Sequence, residues 1–427
     1  MTRVSDTPFV ARVPGSKSFT NRALVIAAQR RGTTVLDNAL DCDDTRRLAA
    51  ALDAFGGIET TATGGGYVVR RDRAALAAPR QALDLGGAGT PARFLLSFAA
   101  AAEGATLITG NDRLCERPMD HLLEGLRAIG VRWECLAAPG RLPVRVFGST
   151  VETDDWTIDG SVSSQFVSSL LIFAAQQPRE RVTLRIAGHL VSRPYLDMTA
   201  QILERSGVRV ARPDARTFVV TPTEPRAQRI CIETDASGMS YFLAAAALTR
   251  SRVVVRGIGR GSAQGDLGFA RILAAMGCRV AFNDDSVELE GAPLHGVAVD
   301  METMPDTVLT LAVVASRAEG PTRIANIANL RVKECDRIHA AVSELRRLGC
   351  DAEAGADTIM IRPNGRLAPA LVRTYDDHRV AMSFGLLRLL HDGVEIENPR
   401  CVGKSFPAFW DELARFRQHH QAGGIAS

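Results

Sequence analysis

Six short segments rich in Ser, Thr, Asp and Gly each stand directly before an apolar run: residues 15–22, 86–93, 161–165, 235–238, 305–307 and 375–379. Such residues satisfy the free N–H groups at a helix start, and N-capping accounts for most of them. It does not account for Lys17, Arg22, Arg93 and Arg379, which read as first-turn residues. The helix dipole disfavours cations there. A cation at a helix start is reasonable when an anion sits there too, because exposed N–H groups bind phosphate and carboxylate. More charge precedes a second set of helices: Arg113, Glu116 and Arg117; Arg193 with Tyr195; Arg331, Lys333, Glu334, Asp336 and Arg337; and Lys404. Any one of these would pass as a solvated surface charge. Their recurrence at matching places points to small anionic ligands, at least one of them phosphorylated. The glycine-rich stretch 86–89 matches neither a P-loop nor a dinucleotide fingerprint. It does allow backbone to approach a ligand closely.

The elements that must position these residues recur about every 70 residues, longer than the usual solenoid period. Amphipathic helices are expected at 48–56, 122–130, 198–207, 267–277 and 338–349, each ending on glycine, with a sixth, uncapped, at 406–416. Glycine past a helix end supplies the left-handed cap. Upstream of each lies a helix apolar nearly all round, at 23–28, 94–102, 166–175, 241–248, 308–315 and 380–390. Such helices belong inside a domain. Each leads into a strand, at 34–37, 106–109, 183–186, 253–255, 322–324 and 394–396. The unit reads as buried helix, strand, loop, surface helix, strand. Six copies imply two α/β domains of three units, with the break after the polar stretch 221–229, near Thr234.

Composition narrows the function classes. The 427 residues are 46% hydrophobic and 23% charged, with aromatics only 5%, which favours helix-rich α/β packing over an all-β sandwich. A net charge of +3 is too small to suggest nucleic acid or a membrane surface. None of the 8 cysteines forms a C-x-x-C pair or lies at zinc-ligand spacing to a histidine pair, so they read as free thiols in a reducing compartment. No window approaches the roughly 20 apolar residues of a membrane span, and residues 1–10 lack a signal-peptide core. A cytoplasmic location is expected.

These segments resemble the EPSP synthase (3-phosphoshikimate 1-carboxyvinyltransferase) family. The likeness rests on Pro14-Gly15-Ser16-Lys17-Ser18, Asn21-Arg22, Gly89-Thr90, Glu116-Arg117-Pro118, Gly160 through Phe166, and Ser192-Arg193-Pro194-Tyr195. It continues through Asp235-Ala236-Ser237, Pro305-Asp306, Arg331 through Arg337, Asp377-His378-Arg379 and Lys404-Ser405-Phe406-Pro407, nearly the whole chain. The resemblance implies two similar domains, each of three βαβαββ repeats around buried helices, an inside-out α/β barrel with the active site in the interdomain cleft. The domains would be residues 15–234, binding mainly shikimate 3-phosphate, and 1–14 with 235–427. It implies contacts to shikimate 3-phosphate from Lys17, Ser18, Arg22, Ser163, Ser164, Gln165, Ser192, Tyr195, Asp306, Asn329 and Lys333. Phosphoenolpyruvate would meet Lys17, Gly89, Arg117, Gln165, Arg337, Arg379 and Lys404. Arginine binds phosphate or carboxylate bidentately, which suits a ligand carrying both. The implied reaction is addition of the ring 5-hydroxyl to C2 of phosphoenolpyruvate, then loss of phosphate. Asp306 is assigned as base and Glu334 as acid, with Lys17 and His378 assisting proton movement. No metal or organic cofactor is implied, since Lys and Arg neutralise the charge, and a monomer is expected.

Gly87 stands where the family often has Asn, Pro91 and Phe94 flank Arg93 in an unfamiliar way, and Leu330 replaces a common Trp. Phe94 is expected to fill core; a shift of Gly89 by it would alter affinity for phosphoenolpyruvate or for glyphosate, the family's inhibitor. Cys115, two residues before Arg117, supports one rival: in the related UDP-N-acetylglucosamine enolpyruvyltransferases a loop cysteine works at the phosphoenolpyruvate site. The Ser163-Ser164-Gln165 and Ser192–Tyr195 sets fit a small phosphorylated ring better than a nucleotide sugar. A non-catalytic anion-binding relative would be expected to lose Asp306, Glu334 or Lys404, and all are present. An RNA-end-processing enzyme of similar repeat fold would need a basic surface, which the composition lacks.

Overall fold

The computed structural model describes residues 7–73, 75–223 and 228–425. Residues 224–227 of the polar stretch, and residues 1–6, lie outside the described residues. The chain divides into two compact units, Lys17–Ile232 and Met1–Ser16 with Glu233–Ser427.

Within Lys17–Ile232, three helices form the centre: Lys17–Ala28, Gly89–Phe98 and Ser164–Ala174 pack on one another. Ala, Leu, Val and Ile on every side leave no face for water, so ten of the twelve residues of Lys17–Ala28 are buried. Three four-stranded sheets belong to the unit. In each, a parallel pair is followed by an antiparallel hairpin: Asp155–Asp159 runs parallel to Val182–Ala187, which pairs antiparallel with Thr217–Thr221 and so on to Arg209–Asp214. The sheet of the first repeat takes its outer parallel strand from the far end of the unit, where Gln228–Cys231 pairs with Gly32–Asp37. That pairing closes the ring of repeats.

The other unit follows the same plan. Ala236–Thr249 packs on Val308–Ala315, which packs on His378–Gly385. All eight residues of Val308–Ala315 are buried, although β-branched valine and threonine are poor helix formers. Burial on all sides overrides propensity there. Its first sheet borrows Phe9–Ala11, parallel to Arg252–Arg256. The last sheet has two strands among the described residues, Ala370–Val372 and Val394–Ile396, and the helix Phe409–Ile425 follows them. The segments that lead out of and back into this unit run side by side: Ser16 N donates to Glu233 O at 2.8 Å and Asp235 N to Pro14 O at 2.9 Å.

The surface helices fall where their apolar pattern and glycine stops place them. One cap differs. Gly130, Gly207, Gly277 and Gly349 have positive φ, but in the first repeat the left-handed residue is Gly57 (φ 93°), not Gly56. The helix Asp43–Asp53 ends earlier, and Ala54 to Gly56 add a turn before the reversal. The repeat read from periodicity also lacked two strands per unit. Periodicity finds a buried strand from its apolar run, whereas exposed partners such as Arg209–Asp214 carry little apolar signal.

Candidate active site

In the unit Lys17–Ile232, the first buried helix starts on Lys17, whose Nζ lies 3.1 Å from Asp44 Oδ2. Asp44 is buried at the start of the next helix, so the ammonium is anchored and not free to swing. Ser18 is half-buried beside it. Arg22 and Arg93 are second-turn residues of Lys17–Ala28 and Gly89–Phe98, which corrects their reading as first-turn cations. Neighbouring groups hold them instead. Arg22 is 1% exposed. It donates to Thr199 Oγ1 (2.7 Å), Ser168 Oγ (3.1 Å) and the carbonyls of Ser18 (2.9 Å) and Tyr195 (3.2 Å). Burial pulls it down to about 10, so it stays charged at neutral pH. Its structural effect is to tie the Ser18 turn to the Tyr195 turn, two expected ligand contacts. Phe94 is core as expected and lies under the Arg22 guanidinium, 5.4 Å from ring centre to Cζ.

Ser163 caps Ser164–Ala174 by accepting from Gln165 N at 3.3 Å. Ser164 is buried behind it. The Gln165 amide oxygen accepts from Arg93 at 2.5 Å, which turns its NH2 end into the donor available to a ligand. Ser192 is buried with φ of 52°, a left-handed turn that delivers the chain to Pro194–Arg205, where Tyr195 is half-buried. Cys115 donates from Sγ to Gly110 O at 3.4 Å on the short helix Asp112–Glu116. On that same helix the Arg113–Glu116 pair is largely exposed, an ordinary surface contact.

The glycine loop has a definite steric purpose. A Cβ on Gly89 would stand 2.5 Å from Arg117 Nη1 and 2.9 Å from its Cζ. One on Gly86, where φ is 52°, would stand 2.7 Å from Arg47 Cζ. Two guanidiniums therefore lie against this backbone, and Arg47 was not singled out from the sequence. Gly89→Ala forces Arg117 aside at the far end of a flexible chain. Expected are an unchanged or slightly raised melting temperature, because alanine suits a helix better than glycine, and an apparent phosphoenolpyruvate KM raised about tenfold, which corresponds to about 1.4 kcal/mol. Thermal melts with initial-rate kinetics check both.

In the other unit the expected residues condense around Arg337, which is 1% exposed. Its guanidinium donates to Asp377 (2.7 Å), Asp306 (3.0 Å) and Glu334 (3.0 Å). Burial pulls Arg337 down, but the carboxylates of Asp377, Glu334 and Asp306 outweigh it and hold the charge firmly. Asp306 also accepts from Arg379 at 2.8 Å and faces Lys333 at 3.8 Å. Burial would raise its carboxyl, yet Arg379, Lys333 and Arg337 drive it well below the usual carboxylate range. Glu334 reaches Lys404 at 3.5 Å. Asn329 sits on the turn Ala328–Val332 leading to Lys333, beside the fully buried Leu330. His378 is completely buried, with Nδ1 3.7 Å from Asp377 Oδ1.

Three participants here were not assigned roles from the sequence. Asp377 caps His378–Gly385 through Arg379 N (2.8 Å) while gripping Arg337 with both oxygens. Ser237 and Asp266 form a buried hydrogen bond next to Arg379. Asp377 and Ser237 stand inside recognisable motifs, whereas Asp266 follows a glycine in an unremarkable loop and gave no signal.

Comparison with known proteins identifies the family of the chain. The family model for EPSP synthase (3-phosphoshikimate 1-carboxyvinyltransferase) matches residues 8–413, and the chain belongs to that family. It is 42% identical to the 3-phosphoshikimate 1-carboxyvinyltransferase of Aeromonas salmonicida over 416 residues, covering 95% of this chain and 96% of the relative. The Klebsiella pneumoniae enzyme of that name is 41% identical, with 94% and 95% covered. Among solved structures, an EPSP synthase from Acinetobacter baumannii superposes with a TM-score of 0.78 at 24% identity, covering 96% of this chain and 97% of that one. An enolpyruvyl transferase from Streptomyces tendae gives 0.76 at 20% identity, with 97% and 95% covered. Both show the fold of paired repeats. Among the described residues no helix is long and apolar enough to cross a membrane.

Proposed function

We propose that the chain transfers the enolpyruvyl group of phosphoenolpyruvate to the 5-hydroxyl of shikimate 3-phosphate, releasing phosphate. The observation that carries this reading is the Arg337 cluster, where one buried guanidinium holds the proposed base, Asp306, and the proposed acid, Glu334. Lys17–Ile232 would bind mainly shikimate 3-phosphate, and the other unit would contribute Asp306, Glu334, Arg337, Arg379 and Lys404.

The cluster is charged in a useful way. Arg379, Arg337, Lys333 and Lys404 are all engaged by carboxylates. Phosphate and carboxylate of phosphoenolpyruvate compete for those cations. As Arg379 and Arg337 turn to the substrate, Asp306 loses the charges that hold its carboxyl down and becomes a better base. Asp306 then takes the proton of the 5-hydroxyl while the oxygen bonds to C2. Glu334 takes up a proton from solvent once the substrate has drawn Lys404 away from it, and delivers that proton to C3. The tetrahedral adduct next loses the C2–phosphate bond; a C3 proton returns to Glu334, the double bond re-forms, and the proton on Asp306 leaves with phosphate. Arg22 and Arg93 act from behind, the first fixing the Ser18 and Tyr195 turns and the second orienting Gln165. The protein works as a monomer in the cytoplasm.

Phosphate release from phosphoenolpyruvate, measured with shikimate 3-phosphate or UDP-N-acetylglucosamine as acceptor, tests the reading. Turnover is expected with the first. Turnover only with the second would replace it by the rival chemistry at Cys115, whose thiol would then be essential and alkylation-sensitive.

A further inference from the structure

Asp266 lies on the tight turn Gly265–Leu267, is 5% exposed, and has no part in the steps above. One carboxylate oxygen accepts from Ser237 Oγ. The other, Oδ1, is buried and meets no hydrogen-bond donor among the described residues. The single hydroxyl proton of Ser237 points to Asp266, so its oxygen is an acceptor, and Arg379 Nη2 lies 3.4 Å away. The same Nη2 donates to Asp306 Oδ2 at 2.8 Å. The result is a continuous chain: Asp306, Arg379, Ser237, Asp266. Two carboxylates thus share one guanidinium, and the more deeply placed one is half satisfied.

We infer that Asp266 is a positioning residue for the anion carried by Arg379: it takes up a proton at Oδ1 as that anion docks, and Ser237 transmits the change to the guanidinium. The inference rests on the proposed docking of phosphoenolpyruvate on Arg379. A buried charge with one unsatisfied oxygen costs far more than a neutral carboxyl in the same place. An arriving phosphate or carboxylate adds a further negative charge to the group around Arg379. Protonating Asp266 removes one and frees the guanidinium to turn to the ligand.

The surroundings agree. Burial, and after it the charge of Asp306, lifts the Asp266 carboxyl to about 7, with Asp235 raising it further and Arg379 and Ser237 opposing. Asp306 faces it from the turn Pro305–Thr307, Asp235 from the cap of Ala236–Thr249, and Arg379 from the start of His378–Gly385. The helix that follows it, Gly268–Ala275, carries one charge, Arg271, which lies over the Phe282 ring at 5.5 Å. Glu233 is engaged by Ser262 and Gln264.

The sign is fixed by linkage. The bound state favours protonated Asp266, so its carboxyl rises above about 7 when the anion is present. Affinity for the anion is then full below that pH and falls as pH rises through it, by up to about tenfold per pH unit until the bound-state value is reached.

Calorimetric titration of the full-length protein with phosphoenolpyruvate, in two buffers of different ionisation enthalpy at neutral pH, measures the protons taken up. Steady-state KM for phosphoenolpyruvate across the neutral range reads the same linkage. Asp266→Asn keeps an acceptor for Ser237 and cannot ionise. It is expected to take up fewer protons than the native protein, and to hold a KM at alkaline pH about threefold or more below the native one. Ionisation of the substrate itself contributes equally to both proteins and cancels. Ser237→Ala removes a bond that favours the charged form, so the KM inflexion should move to higher pH. Binding with equal proton uptake and unshifted KM profiles in both variants overturns the role of Asp266 alone. No detectable phosphoenolpyruvate binding by the native protein overturns the functional reading, and the role of Asp266 with it.

Discussion

Arg337→Ala is expected to destabilise its unit by about 3–5 kcal/mol, the usual cost of leaving a buried ion-pair group without its partner. The guanidinium it removes bonds three carboxylates, of which Asp377 is completely buried and also caps a helix. Asp306 would keep Arg379 and Lys333, and Glu334 would keep Lys404, but buried Asp377 would lose the cation that holds both its oxygens. Urea denaturation followed by circular dichroism gives the stability loss. Its pH dependence identifies the cause. Asp306 is held well below its ordinary range in the native fold, so its contribution is present above the unfolded-state value of about 4 and is lost as pH falls toward the much lower folded value. Without Arg337 that depression shrinks. The gap between native and variant should therefore be widest near neutrality and narrow only below about 4, once pH falls through the value the carboxyl keeps in the folded variant. A gap independent of pH would mean that lost packing, and not uncompensated charge, dominates.

Asp306→Asn separates chemistry from stability. Asparagine keeps the shape and can still accept from Arg379 and Arg337, while Arg337 retains Glu334 and Asp377. The side chain is 17% exposed, so part of any charge imbalance is screened by water. Its stability cost should be well below that of Arg337→Ala. Turnover, by contrast, loses the group proposed to accept the 5-hydroxyl proton, and kcat should fall about a hundred- to ten-thousandfold. The same phosphate-release assay measures it, with the melting temperature as control. A folded variant within threefold of native kcat would remove Asp306 as the base.

Much of this architecture is legible in one dimension because it is governed by local patterns. Helices apolar on every side, such as Val308–Ala315, have nowhere to go but inside, and amphipathic helices ending in glycine mark the repeat. Polar residues before the buried helices mark the helix starts, and motifs such as Asp377-His378-Arg379 carry the family resemblance. The hairpin strands were less legible, since exposed strands lack the apolar run that betrays a buried one.

What the sequence by itself determined is therefore the repeat, the α/β class and the set of charged residues proposed for an anionic site. Tertiary structure alone decided which of those charges meet. Arg22 reads as a ligand contact, and only folding brings it to its long-range partners at Thr199, Ser168 and Tyr195. Gly89 reads as a place where backbone nears a ligand, and the nearest group proves to be the Arg117 guanidinium. Asp266 had no visible role until folding set it one hydroxyl away from Arg379. The physical reason is common to all three. Capping and helix periodicity act over a few residues, whereas desolvation and ion pairing depend on groups tens to hundreds of positions apart that only the packed chain brings within reach.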